Sequence, residues 1–199
     1  MDFGTSERAP LAPTAAEGVK IVITGGFAVG KTTMVRSVSE IRPLSTEEAM
    51  TTAGAGVDSL AGTPEKTTTT VAFDFGRITL NERVVLYLFG APGQERFGRI
   101  WQQLFVGCLG AVVLVDPRRL ADSWYAIDRL EHDGTPFLVA RNNFGVPRHD
   151  LAQLRDALDL PGSVPLVDCD ARDRESSKQV LIRLVEHLRE LVLSREVGE

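Results

Sequence analysis

The sequence has little of what marks secreted, membrane-bound or nucleic-acid-binding proteins. It contains two cysteines, Cys108 and Cys169, without metal-binding spacing, which indicates reduced thiols in a reducing compartment. No apolar run reaches the ~18 residues that a membrane helix needs. With a net charge of -5, the chain has no excess of positive charge for nucleic-acid phosphates. We therefore expect a cytoplasmic protein without a nucleic-acid partner.

The two ends of the sequence lack attachment signals. Met1 precedes Asp2 rather than the glycine that myristoylation requires, no signal-peptide segment follows, and the last residues hold no prenylation cysteine. We expect no direct membrane anchor, so any attachment would depend on a partner protein. Residues 1–18, rich in Ala, Pro, Gly and Thr, and residues 195–199 are predicted to be tails on one domain spanning residues 19–194.

Short apolar runs alternate with helical patterns along that domain. Strands are predicted at residues 21–24, 71–79, 83–89, 111–115, 136–140 and 164–167, and helices at residues 32–40, 97–106, 120–131, 148–158 and 176–193. This alternation predicts an α/β fold with a mostly parallel six-stranded sheet and helices on both faces. The hairpin-like second and third strands supply one antiparallel edge strand. Residues 44–70, rich in threonine and poor in large apolar side chains, predict a long functional loop.

A glycine-rich motif follows the first predicted strand. Residues 25–32 fit the P-loop pattern GxxxxGK[ST], whose glycines let backbone N–H groups point at phosphates. The helix that follows adds its positive N-terminal end. Lys31 is expected to reach the β- and γ-phosphates, and the Thr32 hydroxyl to bind Mg²⁺. The nucleotide-binding residues predicted here are Gly25, Gly26, Phe27, Ala28, Val29, Gly30, Lys31, Thr32 and Thr33.

Four further segments resemble landmarks of Ras-like small GTPases. Residues 70–75 resemble the switch I threonine entering a strand, residues 89–97 resemble switch II, residues 142–145 fall where Asn-Lys-x-Asp reads the base, and residues 170–172 fall where a Ser-Ala-Lys loop belongs. With the P-loop, the resemblance covers residues 20–193. The sequence of these segments is especially similar to that of bacterial MglA-type polarity GTPases and conservon-encoded GTPases. The resemblance implies a P-loop NTPase fold, GTP or GDP with Mg²⁺, and regulatory or effector partners such as a Roadblock-fold protein.

The resemblance also implies roles for individual residues. Gln94 would orient the attacking water. The Gly93 N–H would contact the γ-phosphate, and Thr70 would close over Mg²⁺. With Lys31, Gln94 and Thr70 form the implied catalytic set, and Thr32 and Thr70 the implied metal set. On the base side, Asn142 would connect the base to the phosphate loop, the Ala171 N–H would contact the base oxygen, and Asn143, Asp170 and Arg172 would complete the site.

Three departures from that pattern stand out. Gly90 replaces the acid that holds Mg²⁺ through water in that family. Asp116 is a candidate substitute, although we favour a role for it as a cap at the end of a strand. Asp74 is expected to be an exposed strand residue rather than a metal ligand. Gly145 replaces the guanine-reading aspartate, which leaves GTP and ATP both open. Residues 43–70 contain no arginine for a finger in cis. Arg96 and Arg99 are the remaining local candidates for an arginine finger. We favour instead that these two side chains lie on a solvated helix face.

Three functions are compatible with these residues. The first is a switch that binds and slowly hydrolyses GTP and thereby controls partner binding. The second is a pseudo-GTPase scaffold that binds nucleotide without cycling, which Gly90 and Gly145 favour. The third is an ATP-binding P-loop protein, although the switch II text does not fit that function. The retained P-loop, Thr70 and Gln94 favour the switch.

Overall fold

The computed structural model describes residues 17–45, 73–91, 98–145 and 150–197. The strands are β1 (Glu17–Gly25), β2 (Leu44–Ser45), β3 (Asp74–Thr79), β4 (Val84–Gly90), β5 (Gly110–Val115), β6 (Phe137–Asn142) and β7 (Leu166–Cys169). The helices are α1 (Lys31–Val38), α2 (Gly98–Phe105), α3 (Trp124–His132), α4 (Leu151–Ala157) and α5 (Arg174–Val197). A 3-10 turn at Leu120–Ser123 leads directly into α3.

The strands form one sheet in the order β2-β3-β4-β1-β5-β6-β7. Strands β4, β1, β5, β6 and β7 run parallel, whereas β3 is antiparallel to β4. The predicted α/β class, mostly parallel sheet and antiparallel strand are therefore confirmed, although β2 rather than β3 lies at the edge of the sheet. The two-residue strand β2 is an addition, since Leu44 pairs with Phe75 within the stretch that we expected to be a loop.

Helices cover both faces of the sheet, as predicted. Helices α1 and α5 pack on one face and α2, α3 and α4 on the other, so neighbouring residues of β1 contribute to different cores. Ile21 and Ile23 belong to the first core and Val22 to the second. Strands β5 and β6 are buried at every position because both of their faces are covered. Strands that are covered on both faces are apolar at successive positions, so no alternation of apolar and polar residues is expected in them.

The observed boundaries differ most at the ends of the domain. Strand β1 begins at Glu17, because its first residues pair with β4 from Val84 onward. It therefore includes two residues of the expected tail. Helix α5 continues to Val197 rather than ending near residue 193. Residues 1–16 of the expected tail, residues 46–70 of the expected loop and the first two residues of the predicted strand 71–79 lie outside the described residues. No helix in the described part of the chain is long and apolar enough to cross a membrane.

Candidate functional site

The glycine-rich motif forms the turn between β1 and α1. Gly25 ends the strand at φ 129° and Gly30 precedes the helix at φ 106°, in a backbone region that disfavours side chains. A Cβ on Gly25 would lie 2.2 Å from the Leu114 carbonyl oxygen, and one on Gly30 would lie 2.6 Å from Asn142 Nδ2. Both positions therefore require glycine, and the loop has the strand-turn-helix context of a phosphate-binding loop.

Lys31 is folded into this loop. Its Nζ donates hydrogen bonds to the carbonyl oxygens of Gly25, at 2.9 Å, and Gly26, at 2.6 Å. Burial lowers the pKa of Lys31 to about 8, and the charge of Asp74 opposes that shift. The ammonium group is still mainly charged at neutral pH, so the loop holds a partly desolvated cation. Such a cation suits the phosphates of a nucleotide.

Thr32, the second residue of α1, contacts a carboxylate. Its hydroxyl donates to Asp74 Oδ2 over 2.5 Å, linking α1 to the first residue of β3. Asp74 is 7% exposed, so the expectation of an exposed strand residue was wrong. The burial arises because β3 is antiparallel to β4 and its first residue arrives at the edge where the P-loop lies.

The oxygen donors at this point fit a magnesium ion. Mg²⁺ prefers hard oxygen ligands and takes one or two protein groups together with substrate phosphates. Thr32 supplies a hydroxyl oxygen and Asp74 a carboxylate on the same side of the P-loop. Among the residues that the structure describes, no group of three or more His, Cys, Asp or Glu side chains could hold a metal by itself. One hydroxyl and one carboxylate are a donor set that fits a metal whose other ligands come from a nucleotide and water.

Asp116 follows β5 and has another role. Arg118 donates to both of its carboxylate oxygens, at 2.8 and 2.7 Å, and the Arg118 N–H adds a third hydrogen bond. These contacts, led by the Arg118 side chain, lower the pKa of Asp116. The side chain is 3% exposed. It therefore caps the end of β5, as favoured from the sequence, and is committed to Arg118 rather than to a metal.

Asn142, the last residue of β6, connects two loops. Its Nδ2 donates to the Val29 carbonyl oxygen at 2.8 Å, and its Oδ1 accepts from the Ala171 N–H at 2.9 Å. The resemblance assigned that N–H to a base oxygen, but here it donates to Asn142 and Ala171 is buried. Asn142 thus fastens the P-loop to the loop after β7.

The other predicted base-side residues form a polar cluster. Arg172 donates to both carboxylate oxygens of Asp170, at 2.9 and 2.7 Å, and Asn143 Nδ2 donates to Asp170 Oδ2 at 3.3 Å. The Arg172 hydrogen bond is the main cause that lowers the pKa of Asp170 to about 2. Gly145 adopts φ 72° with open space around it. A carboxylate is therefore present on this side, but on Asp170 rather than at position 145.

Two contacts at this edge of the sheet were missed from the sequence. Arg119 Nη2 donates to the carbonyl oxygen of Phe27 at the tip of the P-loop, over 3.0 Å. The Arg118 guanidinium lies 4.1 Å from the centre of the Phe144 ring, a cation–π contact beside the base-side cluster. The available signal was the Arg118-Arg119 pair, which directly follows a buried parallel strand.

Part of the predicted site lies outside the described residues. This applies to Thr70, Gly93, Gln94 and Arg96, whose positions the structure does not describe. Arg99 is in the first turn of α2, but its side chain is also outside the description. The structure brings together the P-loop residues, Asn142 and the cluster of Asn143, Asp170 and Arg172, because parallel strands end at one edge of the sheet.

Solved structures share this fold at low sequence identity. The G domain of the FeoB iron transporter of T. maritima matches with a TM-score of 0.60 and 17% identity, covering 86% of this chain and 99% of that one. The FeoB G domain of Methanococcus jannaschii matches with a TM-score of 0.57 and 15% identity, covering 87% and 99%. A GDP-bound mutant of S. thermophilus NFeoB matches with a TM-score of 0.58 and 16% identity, covering 83% and 61%. The chain thus shares the fold of these FeoB G domains.

Comparison at the sequence level gives a family. Among curated proteins, none matches the chain significantly. A family model described as a conserved hypothetical ATP binding protein matches residues 23–190, from the second half of β1 to the last third of α5. That match includes the P-loop, Asp74, Asn142 and the loop after β7. The chain therefore belongs to this family of conserved hypothetical ATP-binding proteins.

Proposed function

We propose that the protein is a nucleotide-dependent switch that binds a nucleoside triphosphate with Mg²⁺, hydrolyses it slowly and thereby controls binding of a partner protein. The observation that carries this proposal is the P-loop, in which the Lys31 ammonium lies among carbonyl groups and Thr32, in the first turn of α1, contacts a carboxylate. The G-domain fold and the nucleotide-binding family support it.

The residues of the P-loop have separate tasks. Backbone N–H groups between Gly25 and Lys31 would cradle the phosphates, and Lys31 would balance the charge of the outer two. Thr32 would hold Mg²⁺, which neutralises the charge that develops on the β- and γ-phosphates during hydrolysis. Asn142 would keep the P-loop and the base-side loop in register.

The hydrolytic part of the proposal depends on the Ras-like resemblance. Gln94 would orient the attacking water, Gly93 would contact the γ-phosphate and Thr70 would close over the metal. Without an arginine finger, hydrolysis in such folds is slow, and a partner adds about 10³- to 10⁵-fold. By its similarity to MglA-type and conservon-encoded GTPases, we propose a Roadblock-fold protein as that partner class.

The base is the point at which two functions compete. We propose a preference for GTP, because the order of landmarks is that of guanine-nucleotide switches. ATP is the second candidate, favoured by the absence of a carboxylate at Gly145 and by the description of the family. A guanine-reading carboxylate makes two hydrogen bonds of roughly 1.5–3 kcal/mol each, so its loss would leave discrimination small unless Asp170 compensates.

Nucleotide binding tests the proposal directly. Fluorescent analogues of GDP, GTP and ATP are titrated with Mg²⁺ against the unmodified protein, Lys31→Ala and Lys178→Ala, the last removing one lysine from α5. We expect guanine nucleotides to bind at least about tenfold better than ATP, a difference of ~1.4 kcal/mol. Lys31→Ala should abolish binding and Lys178→Ala should retain it. Equal binding of ATP would retain the fold and contradict the guanine preference.

Turnover separates the switch from a scaffold that does not cycle. Single-turnover hydrolysis is measured for the unmodified protein and for Gln94→Ala at saturating triphosphate. Slow hydrolysis that Gln94→Ala reduces further, with binding retained, supports the switch. Tight binding with no hydrolysis, alone or with a partner, would establish the scaffold instead.

A further inference from the structure

The antiparallel strand pair places two unusual residues against each other. Gly90 ends β4 at the position where the resemblance expects the magnesium-holding acid, and Asp74 begins β3 directly opposite in the hydrogen-bond register. A Cβ on Gly90 would lie 3.1 Å from Asp74 Cβ and 3.2 Å from Asp74 Oδ2. The Asp74 side chain thus lies over the Gly90 α-carbon and occupies the space of a side chain there.

The Asp74 carboxylate also faces the P-loop. It accepts a hydrogen bond from the Thr32 hydroxyl, and its charge raises the pKa of Lys31 against the effect of burial. A threonine hydroxyl has one hydrogen and two lone pairs. Because the Thr32 hydroxyl donates its hydrogen bond to Asp74, the lone pairs of Thr32 Oγ1 are available to a cation. The arrangement therefore orients Thr32 as a metal ligand.

We propose that Asp74 supplies from β3 the magnesium-positioning carboxylate that β4 lacks at Gly90. The inference rests on the proposed function, since the metal arrives with a nucleotide. Asp74 acts through Thr32 and through its charge, so it is a positioning residue. Because β3 runs antiparallel, its first residue reaches the same edge of the sheet as the last residue of β4. Either strand can therefore supply the carboxylate at the same place in the site.

A purely structural role is the competing explanation. The Thr32–Asp74 hydrogen bond could serve only to attach α1 to β3, and its loss would then lower the free energy of unfolding without affecting the metal. The two roles differ in one measurable quantity, which is the Mg²⁺ concentration that produces half of the Mg²⁺-dependent increase in nucleotide affinity.

The experiment measures the dissociation constant of a fluorescent GDP analogue across a Mg²⁺ titration and in EDTA. In Asp74→Asn, the amide oxygen still accepts from Thr32 but the charge is gone. We expect its apparent Mg²⁺ affinity to fall about 10- to 100-fold. Its nucleotide affinity in EDTA should stay within about twofold of the unmodified protein. Asp168→Asn, which removes a half-exposed carboxylate of β7 paired with Arg141, is the control and should leave the Mg²⁺ affinity unchanged.

A reciprocal exchange guards against a folding artefact. Gly90→Asp alone should crowd the Asp74 side chain and fail to improve Mg²⁺ binding. Asp74→Gly combined with Gly90→Asp returns the carboxylate to β4 in the space that Asp74 vacates. It should restore Mg²⁺ affinity to within about tenfold of the unmodified protein, whereas Asp74→Gly alone should not.

The outcomes distinguish this inference from the proposed function. If the unmodified protein binds no nucleotide, both fail. If it binds nucleotide and Asp74→Asn has the Mg²⁺ dependence of the unmodified protein, the proposed function stands and the assignment of Asp74 is wrong. A Mg²⁺ affinity that falls in Asp74→Asn and recovers in the exchange supports both.

Discussion

Asn142 donates a hydrogen bond from its Nδ2 to the carbonyl oxygen of Val29 over 2.8 Å, although the two residues lie 113 positions apart. Its other amide atom accepts from the Ala171 N–H. All three residues are buried, so none of these groups can turn to water instead. The side chain therefore holds the P-loop and the loop after β7 in a fixed relation.

Replacing Asn142 by alanine should destabilise the protein and the site together. Two buried polar groups would lose their partners, which costs about 2–6 kcal/mol in the free energy of unfolding. Urea denaturation measures that change, and nucleotide titration measures the site. Asn143→Ala, at the next and more exposed position, should cost about 1 kcal/mol or less. Equal effects of the two substitutions would contradict the bridging role of Asn142.

Nucleotide affinity should decline at alkaline pH. Lys31 has a pKa of about 8 in the free protein, and bound phosphates would raise it, so binding above pH 8 requires uptake of a proton. The affinity should be flat below about pH 7.5 and about tenfold weaker at about pH 9. Titrations of nucleotide across this range measure it. Lys31→Arg stays charged and should show a flatter profile, with the titration of the nucleotide itself cancelling between the two proteins.

Gly145→Asp should increase the preference for guanine nucleotides. The position has open space and φ 72°, a conformation that aspartate tolerates better than most residues. A carboxylate there can accept two hydrogen bonds from the guanine edge, and we expect the ratio of GTP to ATP affinity to rise at least about tenfold.

The matched control for that substitution is Gly134→Asp. Gly134 has φ 63° and open space, and it lies in the turn after α3. It should carry the same backbone cost of ~1 kcal/mol and leave the affinity ratio unchanged. A ratio that does not move in Gly145→Asp would mean that the base is held elsewhere than beside residue 145.

The two thiols should differ in reactivity. Cys169 is 3% exposed, and burial raises its pKa to about 11. Cys108 is half-buried, and burial also raises its pKa, while its thiol donates to the Gly110 carbonyl. A disulfide reagent at about pH 8 should modify Cys169 only after unfolding, because the thiolate is the reactive form. Rapid labelling of Cys169 in the folded protein, followed by mass spectrometry, would show that the end of β7 opens.

Most of the fold follows from local patterns in the sequence. The apolar runs of β5 and β6 and the three-four spacing of α5 are long enough to indicate their element type without tertiary information. The extension of β1 to Glu17 and the short strand β2 were not predicted. Their residues become strand through pairing with Val84 and Phe75, and pairing partners are not visible in a single stretch of sequence.

The sequence by itself determined the phosphate-binding loop. Gly25, Gly30, Lys31 and Thr32 are close in the chain, so their spacing along the chain sets the geometry of the loop. The capping role of Asp116 also followed from its place after β5, whereas the contact of Asn142 with the P-loop was expected from the Ras-like resemblance. Only the tertiary structure decided where the site's carboxylate lies. Asp74 is 42 positions from Thr32, and it reaches that hydroxyl because β3 runs antiparallel and Gly90 leaves room for its side chain. A contact that depends on strand direction and on a neighbour's missing Cβ is determined by packing and cannot be read from spacing.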